Sequence, residues 1–221
     1  MADEEPERLR IDVWADLVCP WCFIGKQRLH RVLAERELTD RVQIVHRAFQ
    51  LDPGVTSAGE PVVDHLAAKY GVTRDEASAM MDAVTEAAAT EGLDYRLDRT
   101  VRGNTRDAHR LVLWAQERDP DVAQALLGDL YSAYFEQGSP IFTTEELVPF
   151  AVDRGLDAEA VRAMLTGHAW SAAVAEDQSI GRAQGVNGVP FFAFDGRIGF
   201  SGAQPPAMFS AALDQAFAGH P

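Results

Sequence analysis

The chain has 221 residues, of which 47% are hydrophobic and 24% charged, with a formal net charge of −14. This is the profile of a globular protein long enough to bury a large core, and its negative field disfavours nucleic acid and anionic membrane surfaces as partners. No apolar run approaches the roughly 18 residues of a membrane span, and the start, MADEEPERLR, lacks the basic and apolar regions of a secretory leader, so a cytoplasmic protein is expected.

The first element in chain order is LRIDVWADLV (9–18), where Ile11, Val13 and Ala15 alternate with Asp12, Trp14 and Asp16 as in a strand. From Pro20 the spacing changes to helical, with Phe23, Ile24, Leu29, Val32 and Leu33 on one side. Proline suits a first helical turn, where its missing N–H costs nothing. RVQIVHRAFQL (41–51) reads as a second strand, closed by Asp52-Pro53-Gly54.

Helical patterns then fill 61–71, 73–92, 104–119, 122–138, 144–155, 157–167 and 170–185, the second of them opening on a Thr73–Glu76 capping box. Strand signals return in PFFAF (190–194) and RIGFSG (197–202), separated by Asp195-Gly196, a two-residue hairpin turn. A last helix (205–217) opens on proline. Strands at both ends must meet to bury their faces, so the pattern predicts one α/β domain interrupted by an all-helical insertion. The boundaries are 9–55 and 186–218 for the two parts of the sheet domain, and 56–185 for the insertion with its connecting helix.

Both cysteines lie in one motif, Cys19-Pro20-Trp21-Cys22, between the first strand and its helix. Disulfide exchange needs a thiolate, and a helix N-terminus presents unpaired N–H groups and a partial positive charge. Cys19 sits in that field and reads as the attacking thiol. Cys22, one turn further in, is better shielded and reads as the resolving thiol. Pro20 and Trp21 set the stiffness and electrostatics of the loop, and Asp16 opposes part of the helix field.

A structural zinc would need about four ligands. With two cysteines, it would have to draw on His30, His46, His65, His109, His168 or His220, which are dispersed and form no H-x3–5-H pair. No metal is therefore expected. A pair of inert buried cysteines is the other bland reading, against which the strand-to-helix position argues. Far along the chain, Val189-Pro190 stands at the entry to a strand, where proline marks an edge or turn. Statistics alone favour a trans bond there.

The segments DLVCPWCFIGK, HLAAKYG, NTRDAHRL, YFEQG, GVNGVPFFAF and SGAQPP, in that order, resemble the DsbA family of the thioredoxin superfamily, and most closely its FrnE-like branch. The likeness extends over roughly residues 10–210. It implies a thioredoxin fold with the helical insertion over the active site, and a cis Val189-Pro190 bond packed against the cysteines. It also implies that the backbone of Val189 pairs with a substrate peptide by strand addition. Asn104 and His109 match the segment that faces the cysteines in that branch, with His109 as proton donor to a leaving thiolate. Asp12, seven residues before Cys19, resembles the buried acid of thioredoxins. Trp14, Trp21, Phe23, Phe49 and Phe191 are candidates to line an apolar groove.

The function expected is a thiol–disulfide oxidoreductase or isomerase of protein or peptide disulfides. It would work through a Cys19–Cys22 pair and a mixed disulfide, with no tightly bound cofactor and with glutathione or a thioredoxin-type reductant for recycling. The alternative is a glutathione-dependent isomerase or transferase of the kappa or 2-hydroxychromene-2-carboxylate isomerase type, in aromatic polyketide metabolism. There a serine commonly replaces the first cysteine, so Cys19 argues against it. A chaperone-like peptide binder is a third reading, in which the thiols would be incidental.

Overall fold

A computed structural model describes residues 8–56 and 58–219; His220 lies outside them. The first strand, β1 (Leu9–Ala15), leads into α1 (Pro20–Glu35) and then β2 (Val42–Ala48). The helical run comprises α2 (Val62–Tyr70), α3 (Arg74–Ala89), α4 (Arg106–Arg118), α5 (Pro120–Phe135), α6 (Thr144–Asp153), α7 (Ala158–Thr166) and α8 (Ser171–Ala183). The chain closes with β3 (Phe191–Phe194), β4 (Ile198–Ser201) and α9 (Pro206–Ala218). This is the α/β thioredoxin fold with a helical insertion.

The four strands lie in the order β2-β1-β3-β4. β1 runs parallel to β2 and antiparallel to β3, in registers that place Ile11 beside Ile44 and Phe194. Side chains alternate across the pleat. Leu9, Ile11, Phe192 and Phe194 therefore share one face, where they pack with Leu29, Val32 and Leu33 of α1 and Phe209 and Leu213 of α9. Trp14 and Ala193 share the opposite face with Phe49 and Val186.

α8 crosses that second face at close range. A Cβ on Gly181 would lie 2.7 Å from Trp14 Nε1, so glycine is what permits the approach. Trp14 Nε1–H donates to the Asp177 carbonyl at 2.9 Å, and the Asp177 carboxylate accepts from the Ala48 N–H at 2.9 Å and from Arg47 at 2.8 Å.

The first strand is shorter than its sequence pattern predicts. It stops at Ala15, because Asp16 turns the chain: its carbonyl accepts the Cys19 N–H at 3.1 Å and its carboxylate accepts the Leu51 N–H at 2.7 Å. The Thr73–Glu76 capping box forms at the start of α3. Asp195 and Gly196 both have positive φ and form a tight turn closed by the Arg197 N–H to the Phe194 carbonyl at 3.1 Å, but Phe194 pairs with Ile198, so the hairpin loop has three residues rather than the expected two.

Candidate active site

The turn after β1 delivers Cys19 to the N-cap of α1 in an extended conformation, with Pro20 as the first helical residue. Cys22 follows one turn later, its N–H donating to the Cys19 carbonyl at 2.9 Å. Neither cysteine is in a disulfide, so this is the dithiol form. Residues of the insertion hold the motif from the other side. Tyr95 donates its hydroxyl to the Pro20 carbonyl at 2.7 Å, and Tyr131 to the Asp16 carbonyl at 3.3 Å. Both rings stack with Phe23.

The loop before β3 meets the motif from the far end of the chain. The Val189-Pro190 bond is cis, and the Cys19 thiol donates to the Val189 carbonyl at 3.5 Å. Gly25 of α1 leaves room for this loop, since a Cβ there would stand 3.2 Å from Pro190 and 3.0 Å from Phe192.

The two cysteines line different spaces. Cys19, Pro20, Trp21 and Val189 line a groove of about 700 Å³, whose opposite wall is apolar and comes from the insertion, with Leu66 and Tyr70 of α2 and Met80 of α3. Trp21 is 40% exposed at its rim. Cys22 instead adjoins an inner cavity of about 20 Å³, lined also by Lys26, His30, His46 and Tyr131.

Burial pushes the Cys22 thiol well above its ordinary range, and its hydrogen bond with Cys19 adds to this; the Asp16 backbone works the other way. Burial also pulls the Lys26 amine down to about 8. Its Nζ lies 2.8 Å from His30 Nε2 and 3.2 Å from Gln124 Oε1. His30 is lowered to about 3 by burial and by Lys26.

The structure places the other expected residues as follows. Asp12 lies between two arginines, paired with Arg10 and Arg47. Burial works to raise its carboxyl, but hydrogen bonds from Arg10 and Arg47 outweigh that and hold it below the ordinary value. Both its oxygens are occupied at 2.7–2.8 Å. Asp16 is the acid that acts on Cys22.

His109 does not line the groove. α4 packs beside β2, which buries the imidazole completely. There its Nε2 lies 3.3 Å from Asp16 Oδ1 and its Nδ1 3.1 Å from His46 Nε2. Asn104 ties loops together, accepting from Gln50 at 2.9 Å and donating to the Val55 carbonyl at 3.0 Å.

Of the five aromatic residues expected along the groove, only Trp21 lines it. Trp14 is 2% exposed and turned toward α8, and Phe49 and Phe191 pack with it. The apolar wall comes from helices too distant in sequence to be assigned from it. Asp16 is expected from the sequence to act on the motif's field, whereas nothing in the sequence reading brings Lys26 and His46 to the site. The signal for Lys26 was its position four residues after Cys22, on the same helical face. Among the described residues, no group of three or more histidine, cysteine or acidic side chains could hold a metal ion, and no helix is long and apolar enough to cross a membrane.

The DSBA-like thioredoxin domain family matches residues 10–214. A solved structure described as a "probable DsbA oxidoreductase" from Streptomyces coelicolor is 41% identical, with 97% of this chain and 92% of that chain covered and a TM-score of 0.89. The cytosolic disulfide reductase DsbM from Pseudomonas aeruginosa, solved with GSH, is 19% identical over 95% of this chain and 100% of that chain, with a TM-score of 0.64. A 2-hydroxychromene-2-carboxylate isomerase is 16% identical over 93% and 95% respectively, with a TM-score of 0.65. At these lower identities the likeness is one of fold. No curated protein matches the chain.

Proposed function

The chain belongs to the DSBA-like thioredoxin domain family, a family of thiol–disulfide oxidoreductases, and from that premise we propose that it exchanges disulfides with protein or peptide substrates. The observation that carries this reading is the shared face of Cys19 and Val189. The reactive sulfur and a peptide carbonyl 3.5 Å from it border the same open groove. A substrate strand laid along the Val189 edge presents its sulfur to Cys19, with main-chain pairing for affinity and the apolar wall for side chains.

The Cys19 thiolate attacks one sulfur of the substrate disulfide. The other sulfur leaves as a thiolate, and a Cys19–substrate mixed disulfide remains. The Cys22 thiolate then attacks Cys19 Sγ, the Cys19–Cys22 bond forms, and the second substrate sulfur departs. The substrate is reduced by two electrons and the pair is oxidised by two. The same steps in reverse donate a disulfide. A cytosolic address favours reduction or isomerisation, with glutathione or a thioredoxin-type protein returning the pair to the dithiol.

The likeness to 2-hydroxychromene-2-carboxylate isomerase supports a second reading, glutathione-dependent chemistry on a small aromatic compound. A groove of about 700 Å³ lies within the roughly 300–1,000 Å³ of small-molecule sites. The presence of both Cys19 and Cys22 favours the first reading. Insulin reduction measured with and without glutathione, beside glutathione transfer to an aromatic electrophile, separates them. Insulin reduction that depends on both cysteines supports disulfide exchange; transfer activity without it supports the alternative.

A further inference from the structure

We propose that Lys26 accepts the proton of Cys22 through a water held in the cavity behind the cysteine pair, and so sets the rate at which Cys22 releases substrate. This rests on the reading of the protein as a thiol–disulfide enzyme. The resolving step needs a thiolate at Cys22, yet that residue is buried and lines the inner cavity rather than the groove. The cavity offers its proton a route of its own.

This cavity is about 20 Å³, enough for one water, which requires at least roughly 10–15 Å³ and two to four polar partners. Those partners are present in Cys22, Lys26 and His46. His46 uses Nε2 toward His109, and its buried Nδ1 has no hydrogen-bond partner in the protein. Lys26 stands four residues after Cys22, directly above it on α1. A neutral lysine amine has two N–H groups and one lone pair. Gln124 Oε1 accepts one N–H, and His30 accepts the other in the tautomer whose Nε2 carries no proton, which leaves the lone pair for the cavity.

The other groups facing this space are poorer acceptors. His30 and His46 are held low, chiefly by burial, and so bind a proton weakly. Tyr131, from α5, is pushed up by burial and keeps its proton. Behind His46 stand His109 of α4, bonded to Asp16, and Arg47 of β2. Lys26, lowered by burial to about 8, populates both its forms near neutrality. Lys26 and His30 keep partial exposure, so the proton can pass on to solvent.

In the step itself, Cys22 S–H passes its proton through the water to Lys26 Nζ. The resulting thiolate attacks Cys19 Sγ, the Cys19–Cys22 bond forms, and the substrate sulfur leaves with the electron pair of the broken bond. The ammonium then releases its proton to bulk water.

The test uses the full chain and 5,5′-dithiobis(2-nitrobenzoate) in a stopped-flow instrument. The first thionitrobenzoate reports attack by Cys19, and the second reports resolution by Cys22. In the wild type the second rate should rise with pH and level off above about pH 8. Lys26→Met should slow it at least about tenfold near neutrality and lose the plateau, the rate still climbing past pH 9. Lys26→Arg keeps a charge but cannot accept a proton, so it should behave as Lys26→Met does. A wild-type second phase with no levelling near pH 8 overturns the proposal even if the variants fail to fold, and so does a wild-type profile in Lys26→Arg. Absence of the first phase overturns the disulfide-exchange reading, and the relay with it.

Discussion

The thiol of Cys19 hydrogen-bonds the carbonyl of Val189 at 3.5 Å, across 170 positions of sequence. In the proposed reaction the attacking sulfur and the edge that aligns substrate therefore stand together on the groove, while Cys22 lines a separate inner cavity. That separation has direct chemical consequences.

Cys19, bordering the groove, should be the thiol that reacts first. Limited iodoacetamide treatment of the reduced protein at neutral pH, followed by peptide mass mapping, should find the label on Cys19. Burial holds the Cys22 thiol well up, so it should label more slowly by about tenfold or more, one pKa unit being a factor of ten in thiolate fraction. Faster labelling of Cys22 would reverse the assignment of roles.

Removing the resolving sulfur should trap the intermediate. Cys22→Ser leaves Cys19 able to attack, but nothing inside the enzyme can release the product, so protein-sized adducts should accumulate on non-reducing gels. Cys19→Ser should trap nothing and lose essentially all exchange activity. No adducts, together with aromatic conjugation that survives in Cys19→Ser, would instead support the glutathione-dependent alternative.

The apolar wall of the groove should contribute to recognition rather than chemistry. Tyr70 and Met80 are 54% and 43% exposed there. Replacing both by serine should raise KM for an apolar peptide disulfide by about tenfold, which corresponds to roughly 1.4 kcal/mol of lost apolar contact. The rate with a small disulfide such as hydroxyethyl disulfide should change little. Equal losses on both substrates would place the peptide elsewhere.

Gly181→Ala tests the seating of α8 on the sheet. The added methyl would meet Trp14 at 2.7–2.8 Å, and the indole cannot retreat without breaking its bond to the Asp177 carbonyl. A loss of about 1–3 kcal/mol is expected, read as a lower urea midpoint. An unchanged midpoint would mean that α8 can shift outward freely.

His46 should make the fold sensitive to acid. Burial, and then His109, hold its imidazole well below 6.5, whereas the unfolded chain protonates near that value. Its contribution is intact above about pH 6.5 and declines as pH falls, by about 1.4 kcal/mol per pH unit. His46→Gln should flatten the slope of unfolding free energy against pH by that amount between about pH 6.5 and pH 5. An identical slope in the variant would show that other groups carry the acid sensitivity.

Local signals were legible in the sequence. The Thr73–Glu76 cap, the Asp195-Gly196 turn and the Cys19-Pro20 helix start each rest on residues within a few positions of one another, and all three stand in the structure. What could not be read depends on packing between distant segments. Trp14 has the alternation of a strand residue, but whether its face meets a groove or a helix depends on Gly181, far along the chain. The acid nearest in role to the thiols is Asp16, not Asp12, because two arginines from β1 and β2 claim Asp12. The Asp16–His109–His46 chain joins three elements through side chains alone and leaves no periodic trace.

β1 pairs first with β2, close behind it, and then with β3, which arrives only after the whole helical run. During synthesis the two thiols therefore emerge long before Val189. Loop-closure entropy grows only with the logarithm of loop length, so the size of the insertion weighs little on the finished protein, while such distant pairing slows folding. A nascent chain that ends within the insertion carries the cysteines but no edge to align a partner. On the proposed function, competence for disulfide exchange therefore waits for β3 to pair with β1 and bring Val189 to Cys19.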